Sequence, residues 1–281
     1  NVSTEKNTRI NIPLTEGTEV YSSNFLTFVE KNAVYKQPLD YRVDLDGIDM
    51  NFDLTVTPDA EVRLIFDEQI GDVIKGKGNG NIKMEITSLG DFEIFGNYMI
   101  QEGDYLFTLQ NLINKKFAIQ RGSKISWNGD PLEANVNIKA IYTQYASLFP
   151  ILLDTTNKSN LPEFKRRYPV DVTISLQNRL LSPSVNFDIG IRDYPKDMTL
   201  NGAVTAFTNR IKTDDQELTR QVSNILLFGQ LVSPFGGSGL ALGNLMGNFT
   251  EMLSNQLSNL ASKINKDLDI SVSLGGGALN Q

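Results

Sequence analysis

The stretch that decides the fold runs from Gly103 to Tyr142 and reads GDYLFTLQNLINKKFAIQRGSKISWNGDPLEANVNIKAIY. Apolar side chains occur at every second residue of its runs, as at Tyr105, Phe107 and Leu109. Because successive side chains of a strand point to opposite faces, each run has one apolar and one polar face. Gly, Asp, Asn and Pro stand between the runs and favour turns. The stretch therefore predicts short strands stacked side by side, apolar on one face throughout.

The same alternation extends on both sides of this stretch. Pro58 ends one run and Gly96 interrupts another, and each predicts the end of a strand. Strands that recur at this spacing are typical of a mostly β chain, built as a sandwich, a barrel or a stack of rungs. The further alternating runs are 43–56, 62–66, 82–86, 92–100, 170–176 and 185–191.

The pattern changes to helical spacing after Asp193. Apolar residues from Ala203 to Leu226, and again from Leu242 to Ile264, recur at intervals of three and four, which predicts amphipathic helices. Residues 268–274 return to alternation and predict a last strand. The helices either cap the β core or, for the second, lie on a membrane surface. Lys and Arg are sparse on the polar face of the second helix, which favours capping.

These patterns predict four segments. Residues 1–40 form a connector or the first rungs, and residues 41–193 form the main β domain. Residues 194–267 form a helical cap, and residues 268–281 form a terminal strand and tail. The sequence begins without Met, so we expect a mature product or a piece of a longer protein.

Composition excludes several classes of function. Cys and His are absent, so thiol nucleophiles, thiolate metal sites and imidazole proton transfer are excluded. No Gly-x-Ser-x-Gly motif occurs, and we predict a non-catalytic protein without cofactor or metal. The net charge of −7 argues against nucleic-acid binding. No apolar run is long enough for a membrane-spanning helix.

Three polar clusters each allow two interpretations. The segment GKGNGN at 76–81 suits a glycine-rich turn better than a phosphate loop, since no Walker pattern accompanies it. The run Lys165-Arg166-Arg167, in a predicted insertion at 147–168, is either a solvated loop or a site for an anionic headgroup, and the first is favoured. A solvated strand face is favoured over a Ca²⁺ site for the carboxylates of Asp44, Asp46, Asp49 and Asp53.

An array apolar on one side either closes into a dry core or leaves a trough. An exposed apolar surface of that size needs an occupant. An acyl chain suits it, because each buried methylene contributes about 0.8 kcal/mol without a directional requirement. Unpaired strand edges at the ends favour further rungs or a partner's strand.

Several short motifs in order resemble the C-terminal domain of the TamB family, the translocation and assembly module subunit related to AsmA-like bridge proteins, in its Bacteroidota-like form. The likeness covers roughly residues 40–275. The motifs are TPDA (57–60), GDVIKGKG (71–78), YMIQEGDY (98–105), FAI (117–119), GSKISW (122–127), GDP (129–131), PSVNFD (183–188) and LLFG (226–229).

The resemblance implies an elongated β-taco, a folded-over sheet with a hydrophobic groove, in the periplasm between the inner and outer membranes of a Gram-negative bacterium. It implies an N-terminal membrane anchor upstream and an Omp85-class outer-membrane barrel, TamA or TamL, as partner. It also implies roles in outer-membrane protein assembly and phospholipid transport.

We therefore expect a non-enzymatic factor of envelope biogenesis. A conduit for phospholipid acyl chains, a scaffold for barrel proteins and a structural β-solenoid or adhesin-type module with a closed core are the alternatives. Residues 268–274 are the predicted partner-docking strand, through Leu268, Ile270, Val272 and Leu274. The predicted lipid-groove residues are Leu54, Leu64, Phe66, Met84, Tyr105, Phe107, Leu109, Ile119, Val136, Ile138, Val172 and Phe187.

Overall fold

A computed structural model gives the fold and describes residues 2–4, 8–13, 49–67, 72–86, 92–109, 113–152, 166–180 and 182–234. Within these ranges the chain forms one mixed eleven-stranded sheet followed by two helices, which confirms the mostly β prediction. The strands are β1 (Val2–Ser3), β2 (Arg9–Pro13), β3 (Met50–Val56), β4 (Glu61–Asp67), β5 (Asp72–Ile86), β6 (Phe92–Leu109), β7 (Ile113–Ile119), β8 (Ser123–Gly129), β9 (Asn135–Ser147), β10 (Arg167–Arg179) and β11 (Ser184–Ile191).

The long strands β5 and β6 run through two walls of the sheet. One wall continues to β4 and β7, and the other continues to β3 and β8. The first half of β5 pairs with β4 and its second half with β3. Likewise, the first half of β6 pairs with β8 and its second half with β7. Both β7 and β8 then pair with β9, which continues to β10 and β11. The inward side chains of both walls belong to one buried cluster, so the walls share a core, as expected of a sheet folded over on itself.

Glycines mark the line where the two walls meet. Gly76, Gly78 and Gly80 lie in the middle of β5, so the prediction of a turn at 76–81 is wrong. A Cβ atom on Gly78 would lie 2.0 Å from the carbonyl oxygen of Met99, and one on Gly103 would lie 2.3 Å from that of Lys75. The register also shifts by a bulge between Lys77 and Gly78. Glycine is therefore needed here for close approach of β5 and β6, not for a reversal of the chain.

Two buried aromatic residues lie opposite glycines of β5 and β6. Tyr98 is opposite Gly80, and its hydroxyl donates to the carbonyl oxygen of Gly76 at 3.0 Å. Burial raises the pKa of this hydroxyl. Trp127 is opposite Gly96, which has a φ of +125°. Because Gly96 lies inside the continuous strand β6, the predicted strand break at this position is wrong.

Strands β1 and β2 continue the sheet beyond β3 and β4, in parallel orientation. Thr4 directly follows β1 and Thr57 directly follows β3, and these two threonines are joined by hydrogen bonds. The Thr57 backbone N–H donates to the Thr4 hydroxyl at 2.9 Å, and the Thr57 hydroxyl donates to the Thr4 carbonyl at 3.2 Å. These hydrogen bonds hold the end of β1 in register with the end of β3.

Two helices follow the sheet, α1 (Met198–Thr213) and α2 (Asp215–Phe228). The spacing from Ala203 to Leu226 predicts helix in this segment but not the break at Asp214. The Asp197 side chain accepts hydrogen bonds from two backbone N–H groups at the start of α1, and Asp214 accepts one at the start of α2. Gly229, with a φ of 68°, ends α2. The helices pack against β11, and α2 also contacts β7. The predicted helix at 242–264 and strand at 268–274 lie outside the described residues.

Candidate functional site

The predicted groove residues whose side chains are described all belong to, or pack against, the shared hydrophobic cluster. Leu54, Met84 and Phe187 are only partly buried. The side chains of Phe66 and Leu109 lie outside the described part of the structure, as do residues 268–274. The deeply buried members, with their exposed fractions, are Leu64 (1%), Tyr105 (5%), Phe107 (3%), Ile119 (6%), Val136 (5%), Ile138 (1%) and Val172 (0%).

Aromatic rings line the wall formed by β6, β7 and β9. Phe107 lies edge-on to both Tyr105 and Phe117, with ring centroids 5.9 Å apart in each pair. Phe117 in turn lies 5.6 Å from the ring of Tyr142. These separations are favourable for aromatic pairs. The interior of this wall is therefore a packed aromatic row, in which each ring is fixed by its neighbours.

Lys115 is a charged residue within this otherwise apolar row. It lies opposite Phe107 on the inward side of β7 and is partly buried. Its ammonium group lies 5.6 Å from the centre of the Tyr142 ring, within reach of a cation–π interaction. Sequence reasoning missed Lys115 because it considered only the apolar residues of β7, although Lys115 is in phase with Ile113 and Phe117. That same phase is the signal that identifies it as inward.

Burial of the inner face differs between the two ends of the sheet. At the β10 end, Val170 and Val172 are 0% exposed, and α2 contributes Val222 and Ile225 to the same cluster. At the other end, apolar residues of β3 and β5 remain partly exposed. We call this set the β3–β5 apolar patch; it comprises Met50, Phe52, Leu54, Met84 and Ile86.

The patch is continuous because its residues are neighbours across the two strands. Phe52 pairs with Met84, and Met50 pairs with Ile86. Phe52 is 40% exposed, although it alternates in phase with the buried Val56. The inner face is thus filled where the helices pack and open to solvent, among the described residues, along β3 and β5.

The outer face carries a polar cluster at the junction of β9, β10 and β11. Asp171 accepts hydrogen bonds from the Thr143 hydroxyl at 2.6 Å and from Arg192, whose Nη2 lies at 3.0 Å. Burial by itself raises the pKa of Asp171, but the bonds from Arg192 and Thr143 and the charge of Arg192 outweigh it and hold the pKa below its usual range. The cluster fastens the three strands together.

Described residues line two clefts on the surface. One, of about 570 Å³, lies over the glycine line, and its walls combine polar residues such as Asn79, Asn97 and Lys124 with a larger apolar surface that includes Val56 and Met99. The other, of about 280 Å³, lies at the start of β10 beside Arg166 and Arg167. In the part of the chain that the structure describes, no group of three acidic residues is placed to hold a metal ion. Neither described helix is long and apolar enough to cross a membrane.

An open, folded-over sheet with an apolar inner face and a helical cap defines a class of elongated, groove-bearing β proteins. The chain matches the family model described as the TamB C-terminal domain over residues 1–280, and it belongs to that family. This match confirms the resemblance seen in the motifs. Comparison with curated proteins gave no match. The TamB family is a non-enzymatic, periplasmic component of the cell envelope, associated with an Omp85-type partner.

Proposed function

We propose that this chain is a hydrophobic-groove module that carries phospholipid acyl chains toward the outer membrane and works with an Omp85-class barrel, TamA or TamL. The groove begins at the β3–β5 apolar patch and is walled by the inward residues of the sheet. The deeply buried residues between the two walls form the packed base of this groove. The observation that carries the proposal is the half-exposed apolar patch on the inner face of the sheet.

The chemistry of the patch suits an acyl chain. Leu54, Met84 and Phe52 present flexible or flat apolar surface without a directional hydrogen-bonding group. Each methylene that leaves water contributes about 0.8 kcal/mol, so several methylenes along the patch give useful affinity. Since these contacts have no fixed register, a chain can shift along the patch without breaking specific bonds.

The test compares two neighbouring residues on opposite faces of β3. Leu54→Asp places a charge on the inner face, whereas Thr55→Asp places the same charge on the exposed outer face. Each purified variant is extracted with organic solvent, its phospholipid is measured by mass spectrometry, and its fold is checked by circular dichroism. We expect phospholipid in the wild type and in Thr55→Asp, and a large loss in Leu54→Asp.

Equal phospholipid in both folded variants, or none in the wild type, contradicts the acyl-chain proposal. The second outcome favours the closed-core structural module. That alternative is supported by the 0–5% exposure of Leu64, Val136 and Val172. Substitutions such as Phe107→Arg or Val136→Asp are unsuitable tests, because a charge at a position 3% or 5% exposed unfolds the protein whatever its function.

The barrel partnership has its own test. Residues 268–274 remain the predicted docking strand, in which Leu268, Ile270, Val272 and Leu274 alternate. A photo-reactive amino acid at Ile270 is expected to crosslink to an Omp85-class barrel in cells. Crosslinks to lipid alone contradict docking by this segment while leaving the acyl-chain proposal intact.

A further inference from the structure

The cleft at the start of β10 lies at the rim of the sheet. Its walls include two aromatic side chains that point to opposite faces: Tyr145 is 59% exposed on the outer face, whereas Tyr168 is 5% exposed and belongs to the core. Pro169 lies directly across from Tyr145 and also lines the cleft. The cleft, of about 280 Å³, is therefore lined by residues from both faces of the sheet.

Two adjacent arginines supply the charge of this cleft. Arg166 and Arg167 are exposed, and neither has an acidic partner among the residues that the structure describes. The other arginines of β10 and its neighbour are paired: Arg179 with Glu133, and Arg192 with Asp171. The cleft's acidic residue, Asp193, lies 3.7 Å from the Arg192 guanidinium, which is already paired with Asp171, so Asp193 offsets one of the two arginine charges. The described lining of the cleft thus keeps a net charge of about +1 in a chain whose net charge is −7.

The donors and the volume of the cleft suit a phosphate group. Planar guanidinium groups bind phosphate oxygens through paired N–H donors, and the exposed Tyr145 hydroxyl adds a further donor. The volume is small for a nucleotide or an oligosaccharide but adequate for a single phosphate with a short substituent.

We propose that Arg166, Arg167 and Tyr145 form a binding site for a phosphate mono- or diester, presented by the headgroup of an anionic phospholipid. The inference rests on the proposed lipid function, since it supplies a headgroup site on the same module. Of the run 165–167, which the sequence suggests is a solvated loop, Arg166 and Arg167 are exposed, and Arg167 is the first residue of β10, which places it at the rim of the sheet.

The test uses the whole 281-residue chain. Binding is measured by co-flotation with vesicles of phosphatidylcholine alone and of phosphatidylcholine mixed with phosphatidylglycerol. The variant Arg166→Gln/Arg167→Gln removes both charges. Its matched control is Arg121→Gln/Lys139→Gln, which removes two charges at exposed positions outside the cleft. Arg166→Lys/Arg167→Lys keeps the charge but loses the paired donors.

The Gln pair is expected to weaken binding to the anionic vesicles about 30-fold, because each basic residue at an anionic surface strengthens binding about 5-fold. The control pair is expected to bind as the wild type does, and the Lys pair to fall between. Added inorganic phosphate separates the sources. Chemical-shift changes at the Arg167 amide with phosphate alone support a site that also takes free phosphate, whereas changes only with anionic vesicles support the lipid headgroup as its source.

Equal losses in the Gln pair and the control pair, or no preference of the wild type for anionic vesicles, overturn the proposal. Phospholipid extracted from the same preparations keeps the two proposals distinct. If the Gln pair retains extractable phospholipid and wild-type vesicle binding, the headgroup site fails and the acyl-chain groove stands. If the wild type holds no extractable phospholipid but prefers anionic vesicles through these arginines, the groove fails and the phosphate site stands.

Discussion

Replacement of Gly78 by Ala is the most direct test of the glycine line. The added Cβ atom would lie 2.0 Å from the Met99 carbonyl oxygen and 2.9 Å from the Met99 carbonyl carbon. Contacts below 3.0 Å are essentially never seen for a Cβ atom, so β5 and β6 would have to separate by about 1 Å at this point. Because the obstructing atoms belong to the backbone of a paired strand, a side-chain rotation cannot relieve the contact.

The expected destabilisation is about 3 kcal/mol, at the upper end of the range for overpacking. For a chain of about this size each kcal/mol lowers the melting temperature by about 2–4 °C, so the midpoint should fall by about 6–12 °C. The measurement is thermal unfolding followed by circular dichroism at the β-sheet minimum.

Gly190→Ala is the matched control, because Gly190 is also a strand glycine and a Cβ atom there would meet nothing within 4 Å. This variant should melt at or slightly above the wild-type temperature. Ala reduces the conformational entropy of the unfolded chain, which stabilises the folded protein by about 0.4–1 kcal/mol. If Gly78→Ala and Gly190→Ala have the same melting temperature, the close approach of β5 and β6 is refuted as the reason for glycine here.

Two further predictions concern polar contacts between strands. Asp171→Asn should lower the free energy of unfolding at neutral pH by about 1–2 kcal/mol, because the Asp171 side chain is 12% exposed but its partner Arg192 is 53% exposed. Since the pKa of Asp171 is lowered in the folded state, its contribution is fully present at neutral pH and is lost as the pH falls through that folded pKa. Acid titration of stability should therefore be shallower in Asp171→Asn, and an unchanged titration refutes the argument. Thr57→Val should cost about 1 kcal/mol and speed hydrogen exchange at the Thr4 amide, which donates to the Thr55 carbonyl; unchanged exchange would show that the threonine contacts do not hold β1.

Sequence alternation correctly assigned which side chains face the core. A strand has a period of two, and both walls of the sheet keep that period. The sequence therefore distinguishes the inward residues, such as Phe117, Val136 and Val172, from their outward neighbours. The helical segment was equally predictable, since apolar residues from Ala203 to Leu226 recur at intervals of three and four. The ordered motifs indicated the family that the whole-chain match confirms.

The predictions of a turn at 76–81 and of a strand break at Gly96 are wrong for a physical reason. A local sequence such as GKGNGN has the composition of a turn, and nothing within it reveals the neighbouring strand. Only the approach of β6, with Tyr98 opposite Gly80 and Ile100 beside Gly76, turns that segment into the middle of a long strand. The same contact makes β6 continuous through Gly96.

The sequence by itself determined a mostly β chain, the inward and outward residues, the helical character of the segment from Ala203 to Leu226 and the absence of His and Cys chemistry. Tertiary structure alone decided which inward residues are sealed and which stay accessible, because that depends on what lies opposite each one. Val172 shares its cluster with α2, while Leu54 and Met84 remain partly exposed. It also decided which charges are neutralised: Arg192, directly after β11, reaches Asp171 on the adjacent strand β10, whereas Arg166 and Arg167 meet no described carboxylate. Periodicity is a local property of the chain, but burial and charge pairing arise from residues far apart in sequence.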